Sequence, residues 1–133
     1  MADHDPNPEN HHKPIDGAND GARGIAVLLE IARQLQINKP TVGIDIVLFD
    51  AEDYGTPASE NLEGDWWGLG SQYWAKKAYK NGYKADYGIL LDMVGAKNAT
   101  FYHEGFSSRY APEIISKVWG MAYQLGYGQY FFN

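Results

Sequence analysis

The sequence predicts an α/β domain built on a largely parallel sheet with helices on both faces. Short, near-continuous apolar runs such as "GIDIVLFD" and "DYGILLDMVG" alternate with helical patterns, and each run stops at an acid. Runs of this kind suit strands that are buried on both faces. In such sheets ligands bind beyond the carboxyl ends of the strands. The acids at those ends, Asp50 to Asp53 and Asp92, are therefore the first candidates for chemistry.

The elements follow in order. Residues 1–21 read as loop, because Pro6, Pro8, Pro14, Gly17 and Gly21 interrupt any period. Ile25, Leu28, Leu29, Ala32 and Leu35 then take up helical spacing. Asn19 or Asp20 is expected to cap that helix, which ends near Asn38, ahead of Pro40. "GIDIVLFD" is the first strand, and a loop rich in Gly, Pro and acids covers 54–68. A second helix is expected from about Gly70 to Lys80, stopping at Asn81-Gly82. "DYGILLDMVG" is a second strand and "ATFYHE" a third. A helix over 109–125 carries Ile114, Ile115, Val118, Trp119, Ala122 and Leu125, and after Gly126 the run "YGQYFFN" opens another strand. There is no internal repeat.

Composition narrows the function. With 133 residues, 44% of them apolar, and ten Tyr and four Trp, the chain is long and apolar enough to form a core. A net charge of −6 argues against a general nucleic-acid binder, which needs a basic patch for phosphates. Lys76-Lys77, the only adjacent basic pair, is expected on a solvated helix face. Without cysteine there are no disulfides, thiolate metal sites or Cys nucleophiles. No run approaches the roughly 20 apolar residues that span a bilayer, and no signal-peptide pattern is present.

Three acidic positions share one destination. Asp20 opens a helix, while Glu52-Asp53 and Asp92 each follow a strand. Gathered carboxylates repel one another unless a cation or shared protons compensate. With no basic residue directly adjacent to them in sequence, a metal is the simplest partner; the competing possibility is that they are only solvated or capping.

"PIDGANDGARGIAVLLEIARQL", "VLFDAEDYG", "GLGSQYWAKK" and "ILLDMVG" together resemble the zinc aminopeptidase and glutaminyl cyclase family of metallo-exopeptidases, in order and in spacing over most of residues 14–95. The resemblance implies a three-layer α/β/α zinc-exopeptidase fold with a central mixed, largely parallel sheet. It makes residues 1–133 part of a single catalytic domain truncated at both ends. It assigns Asp20 and Asp53 as zinc ligands, Glu52 as the general acid/base, and Asp92 as a second-zinc ligand in aminopeptidases or a proton-network residue in cyclases. Asp53 stands where the family commonly has Glu, one methylene longer. The implied substrates are peptide or protein N-termini, and the implied setting is secreted or periplasmic.

Fourteen residues, Tyr54 to Trp67, separate the acid pair from "GLGS", and that longer, Trp-containing link resembles the cyclase branch. So does the stretch from Ile89 to Gly126. The cyclase reading implies one zinc and the conversion of N-terminal Gln to pyroglutamate with release of ammonia. The aminopeptidase alternative implies two metals and a water nucleophile. A third alternative is a non-catalytic acidic interaction domain with a degenerate site. Trp66 and Trp67 are candidates for the substrate mouth, although loop aromatics more often pack locally. His11 and His12 are expected to be solvated and His103 to be a strand-end surface residue. None of them matches the family's remaining metal-ligand His, which the resemblance places further downstream.

Overall fold

The computed structural model describes residues 17–52 and 66–133. The chain divides into two compact units, residues 1–95 and 96–133.

In the first unit a π-helical turn, Ala18–Ala22, leads directly into α1, Arg23–Ile37. The i→i+5 bond that defines the turn runs from the Ala22 N–H to the Gly17 carbonyl, 3.1 Å. Asn19 and Asp20 therefore lie inside a helical turn, and no side-chain cap forms at either helix start. This corrects the capping role expected for them: the chain is already helical at both residues, whereas a cap stands at the non-helical residue before the first turn. The α1 sequence, rich in Leu, Ala, Arg, Gln and Glu, favours helix throughout. Leu28, Ala32 and Leu35 form its half-buried stripe. The helix closes at Asn38, whose N–H bonds to Gln34 O, just before Lys39-Pro40.

α2, Leu69–Lys80, ends as expected, with Asn81 as its C-cap and Gly82 at φ 68°. Between the helices, residues 43–50 cross one face of α2. Phe49 meets Trp74 edge-on at 5.8 Å, Trp74 meets Tyr83 at 5.3 Å, and the Tyr83 hydroxyl donates to Asp45 at 2.9 Å.

In the second unit the helix expected over 109–125 is two helices. α3 is Gly105–Tyr110 and α4 is Pro112–Gln124. Pro112 has no N–H and forces Ala111 out of helical geometry, to φ −144° and ψ 49°. Glu104 caps α3, accepting from the Phe106 and Ser107 N–H groups at 2.8 and 2.7 Å. α4 buries Ile115 and Ala122, seven residues apart on one face. Trp119 packs edge-on against Phe131 at 5.2 Å and against His103 at 4.9 Å, and its indole N–H donates to Phe132 O at 3.0 Å. His103 is exposed, as the sequence suggested.

Among the described residues no β-ladder forms. The one pairing is an isolated parallel bridge between Phe101 and Phe131, made by Phe101 N–H to Tyr130 O and Phe132 N–H to Phe101 O. It joins the segments expected as the third strand and the final strand. Residues 44–49 and 87–92 run without helix and without a ladder partner. They are apolar yet solvent-facing, with Ile44, Leu48, Ile89 and Leu90 all exposed.

Candidate metal centre

The acid turn after residue 49 is held by the start of α2. The N–H groups of Gly68, Leu69 and Gly70 donate to the carbonyls of Glu52, Ala51 and Asp50, at 2.8, 2.9 and 3.2 Å. First-turn N–H groups have no partner inside their own helix. Here the acid turn supplies it, in place of a side-chain cap. The approach is close enough to require glycine: a Cβ at Gly70 would fall 2.9 Å from the Asp50 backbone nitrogen and nearer still to its carbonyl oxygen. Gly68 itself is left-handed, at φ 61°.

Within this clamp Ala51 adopts φ 49°, a left-handed state uncommon for a residue with a side chain. Met93, which follows the other strand-end acid, also has φ 49°. The chain thus turns sharply straight after Asp50 and straight after Asp92. A strand would alternate neighbouring side chains across its two faces. The Ala51 turn ends that alternation before Glu52.

The first turn of α1 packs against the chain just before the second acid. A Cβ at Gly24 would meet the Leu91 carbonyl oxygen at 2.7 Å, so the first turn of α1 rests on the backbone one residue before Asp92. Arg23 reinforces the contact. Its guanidinium donates to Gly95 O, and its side chain fills the space a Cβ at Gly95 would take. The π turn carrying Asp20 therefore sits beside the chain carrying Asp92. Glu52 is positioned separately, through α2.

Asp53 lies outside the described residues, as do His11 and His12. Among the described residues no three His, Asp or Glu side chains are gathered closely enough to hold a metal. Trp66 and Trp67 are both partly exposed and directly precede Gly68, so they flank the carbonyl clamp on Glu52. The Trp67 carbonyl accepts from the Gln72 side chain at 2.9 Å.

One feature in this region is not signalled by the sequence pattern. Asn19 Oδ1 is buried without a hydrogen-bond partner, in the turn that carries Asp20. Buried acceptors are nearly always satisfied, so this amide oxygen stands out. An amide oxygen is a hard donor of the kind that suits a cation or a water. "GAND" carries the only sequence signal for Asn19, an amide directly before the acid.

The profile of peptidase family M28 matches residues 2–132. The chain belongs to peptidase family M28. Three solved structures show the same relationship. This M28 chain is 55% identical to a Zn-dependent exopeptidase from Parabacteroides distasonis, with TM-score 0.90, over 98% of this chain and 45% of that one. It is 57% identical to Tannerella forsythia glutaminyl cyclase, with TM-score 0.87, over 100% and 46% of the two chains. It is 51% identical to a leucine aminopeptidase precursor from Bacteroides thetaiotaomicron, with TM-score 0.85, over 97% and 45%. No curated protein matches. The M28 chain thus spans under half the length of these relatives, and its α/β class follows from the likeness to them.

Proposed function

We propose that the native protein is a zinc-dependent glutaminyl-peptide cyclotransferase acting on N-terminal Gln. The observation that carries this reading is the placement of the acid turn. Glu52 follows a left-handed residue and is pinned by the first turn of α2, directly beside Trp66-Trp67. The 57% identity to a glutaminyl cyclase and the long link from Tyr54 to Trp67 support the cyclase branch. The proposal takes residues 1–133 as part of one catalytic domain with a central mixed, largely parallel sheet. The β-branched run at 44–49, the apolar run at 87–92 and the TM-scores support that sheet.

Asp20 and Asp53 are the proposed metal-holding carboxylates in this chain, with Asn19 Oδ1 beside the first. Zinc, when bound, supplies Lewis acidity toward a carbonyl. Glu52 accepts the proton that the substrate α-amine loses as its nitrogen attacks the Gln side-chain amide carbon. The new lactam C–N bond forms, the bond to the amide nitrogen breaks, and Glu52 returns the proton to the departing ammonia. Asp92 orients this proton path, and Trp66 and Trp67 wall the entrance. The proposed setting is secreted or periplasmic; among the described residues no helix is long and apolar enough to cross a membrane.

The aminopeptidase alternative keeps one specific support, the 51% identity to a leucine aminopeptidase precursor. There Glu52 would deprotonate water. Incubating the native protein with a peptide bearing N-terminal Gln separates the two by mass. Cyclisation removes one ammonia and leaves the peptide bond intact. Free amino acid without ammonia loss would replace the cyclase reading with the aminopeptidase one.

A further inference from the structure

We infer that Arg23 is a positioning residue for Asp92, an inference that rests on the role proposed above for that carboxylate. Two consecutive residues of α1 bracket Asp92 in the chain. Before it, Gly24 leaves no room for a Cβ, which would lie 2.7 Å from the Leu91 carbonyl oxygen. After it, the Arg23 guanidinium donates to the Gly95 carbonyl. The aliphatic stem of Arg23 also occupies the volume that a Cβ at Gly95 would need. Between these two anchors Met93 is left-handed, at φ 49°. A residue with a side chain keeps that conformation only where its surroundings hold it.

Helix preference does not account for Arg23. Its cation gains nothing from the helix dipole, which favours positive charge at the other end of α1. Arg33 shows the ordinary alternative on the same helix: it is exposed and pairs with Glu30, three residues before it. Arg23 instead bonds across 72 residues of sequence. The turn Ala18–Ala22, which carries Asp20, runs straight into Arg23. One helical element therefore carries one acid and braces the turn that follows another. Arg23 acts on the reaction through that turn, by setting where the Asp92 backbone stands.

The test measures kcat and KM on a peptide with N-terminal Gln, and amide hydrogen exchange at residues 93–96, in the native protein. Arg23→Met keeps an aliphatic stem and removes the donor. It is expected to lower kcat about tenfold, as the loss of one hydrogen bond from a charged donor implies, with KM nearly unchanged and exchange at 93–96 faster. Arg23→Lys restores a donor and is expected to recover most of the rate. Gly95→Ala displaces the stem from the opposite side and is expected to lower kcat likewise. Arg33→Met, on the same helix, is expected to change neither readout. In an Asp92→Asn background, Arg23→Met is expected to cost almost nothing further, because the two changes then share one effect. Failure of the cyclase reading shows in the wild-type protein, as free amino acid without ammonia loss, and the same variants are then compared on that reaction. The role of Arg23 is overturned by an equal loss in both backgrounds, by a loss that Arg23→Lys does not recover, or by unchanged kcat and exchange in Arg23→Met.

Discussion

At the scale of single residues, the carboxylates could be read from the sequence and their geometry could not. "VLFDAEDYG" places acids at the end of an apolar run, so Asp50, Glu52 and Asp53 declare themselves as candidates. Nothing in an alanine predicts φ 49° at position 51, because local preference runs against it. Only the hydrogen bonds from residues 68–70 explain why it holds. Ala51→Gly removes the steric cost of the left-handed state, which is offset in part by the extra freedom of glycine in the unfolded chain. It is expected to stabilise by up to about 1 kcal/mol, read as a higher urea midpoint with an unchanged slope. A lower midpoint would mean that Ala51 is not strained. Asn19 and Asp20 were misread for a related reason. Both are good capping residues, so a cap is what local chemistry suggests. The Ala22 to Gly17 bond draws them into a π turn instead.

At the scale of elements, α1 and α2 fall close to where periodicity put them, because a sustained apolar stripe and a Pro or Gly stop are both local signals. The break before α4 was also written in the sequence, as Pro112, but the apolar spacing from 109 onward hid it. The contact between α2 and the acid turn was not legible, since a glycine declares freedom and not a neighbour. Gly70→Ala tests that contact. The added methyl must displace the Asp50 backbone, and an overpacked contact of this kind costs about 1–3 kcal/mol. The same change is expected to depress turnover, since it moves Glu52, whereas a surface change such as Lys84→Ala alters neither.

α3 provides a pH signature. The Phe106 and Ser107 N–H groups, then the Ser107 hydroxyl, hold the Glu104 carboxyl below its usual range. A lowered folded-state pKa means the stabilisation is complete above the ordinary glutamate pKa. It is lost as pH falls through the lowered folded value. The amides of residues 105–110 should therefore lose exchange protection only in acid. Glu104→Gln should flatten that dependence.

At the scale of the molecule, the second unit places Ile115 and Ala122 in its interior, while the first leaves much of its apolar sequence facing solvent. Ile44, Leu48, Ile89 and Leu90 are 47, 56, 59 and 79% exposed, in runs whose composition suits buried strands. A strand exists only through hydrogen bonds to a neighbour, so composition can nominate these runs without fixing their partners. That is why the α/β class was readable and the sheet order was not. Exposed runs of this kind bind dyes and one another. The isolated 133-residue polypeptide is expected to bind anilinonaphthalene sulfonate and to self-associate with rising concentration. A monomer that leaves the dye dark would show that these runs are covered in solution.

The central claim is that adjacent acids do different work, Glu52 moving a proton while Asp20 and Asp53 hold the metal. The measurement that tests it most directly is zinc content alongside turnover of N-terminal Gln peptide, in the native protein and in Glu52→Gln, Asp20→Ala and Asp53→Ala. Glu52→Gln is expected to keep its zinc and lose about 10²-fold or more in rate, as for a missing general base. Asp20→Ala and Asp53→Ala are expected to lose zinc first and activity with it, and added zinc should restore Asp53→Ala in part. Zinc lost from Glu52→Gln, with metal and activity both retained in Asp53→Ala, would contradict the assignment.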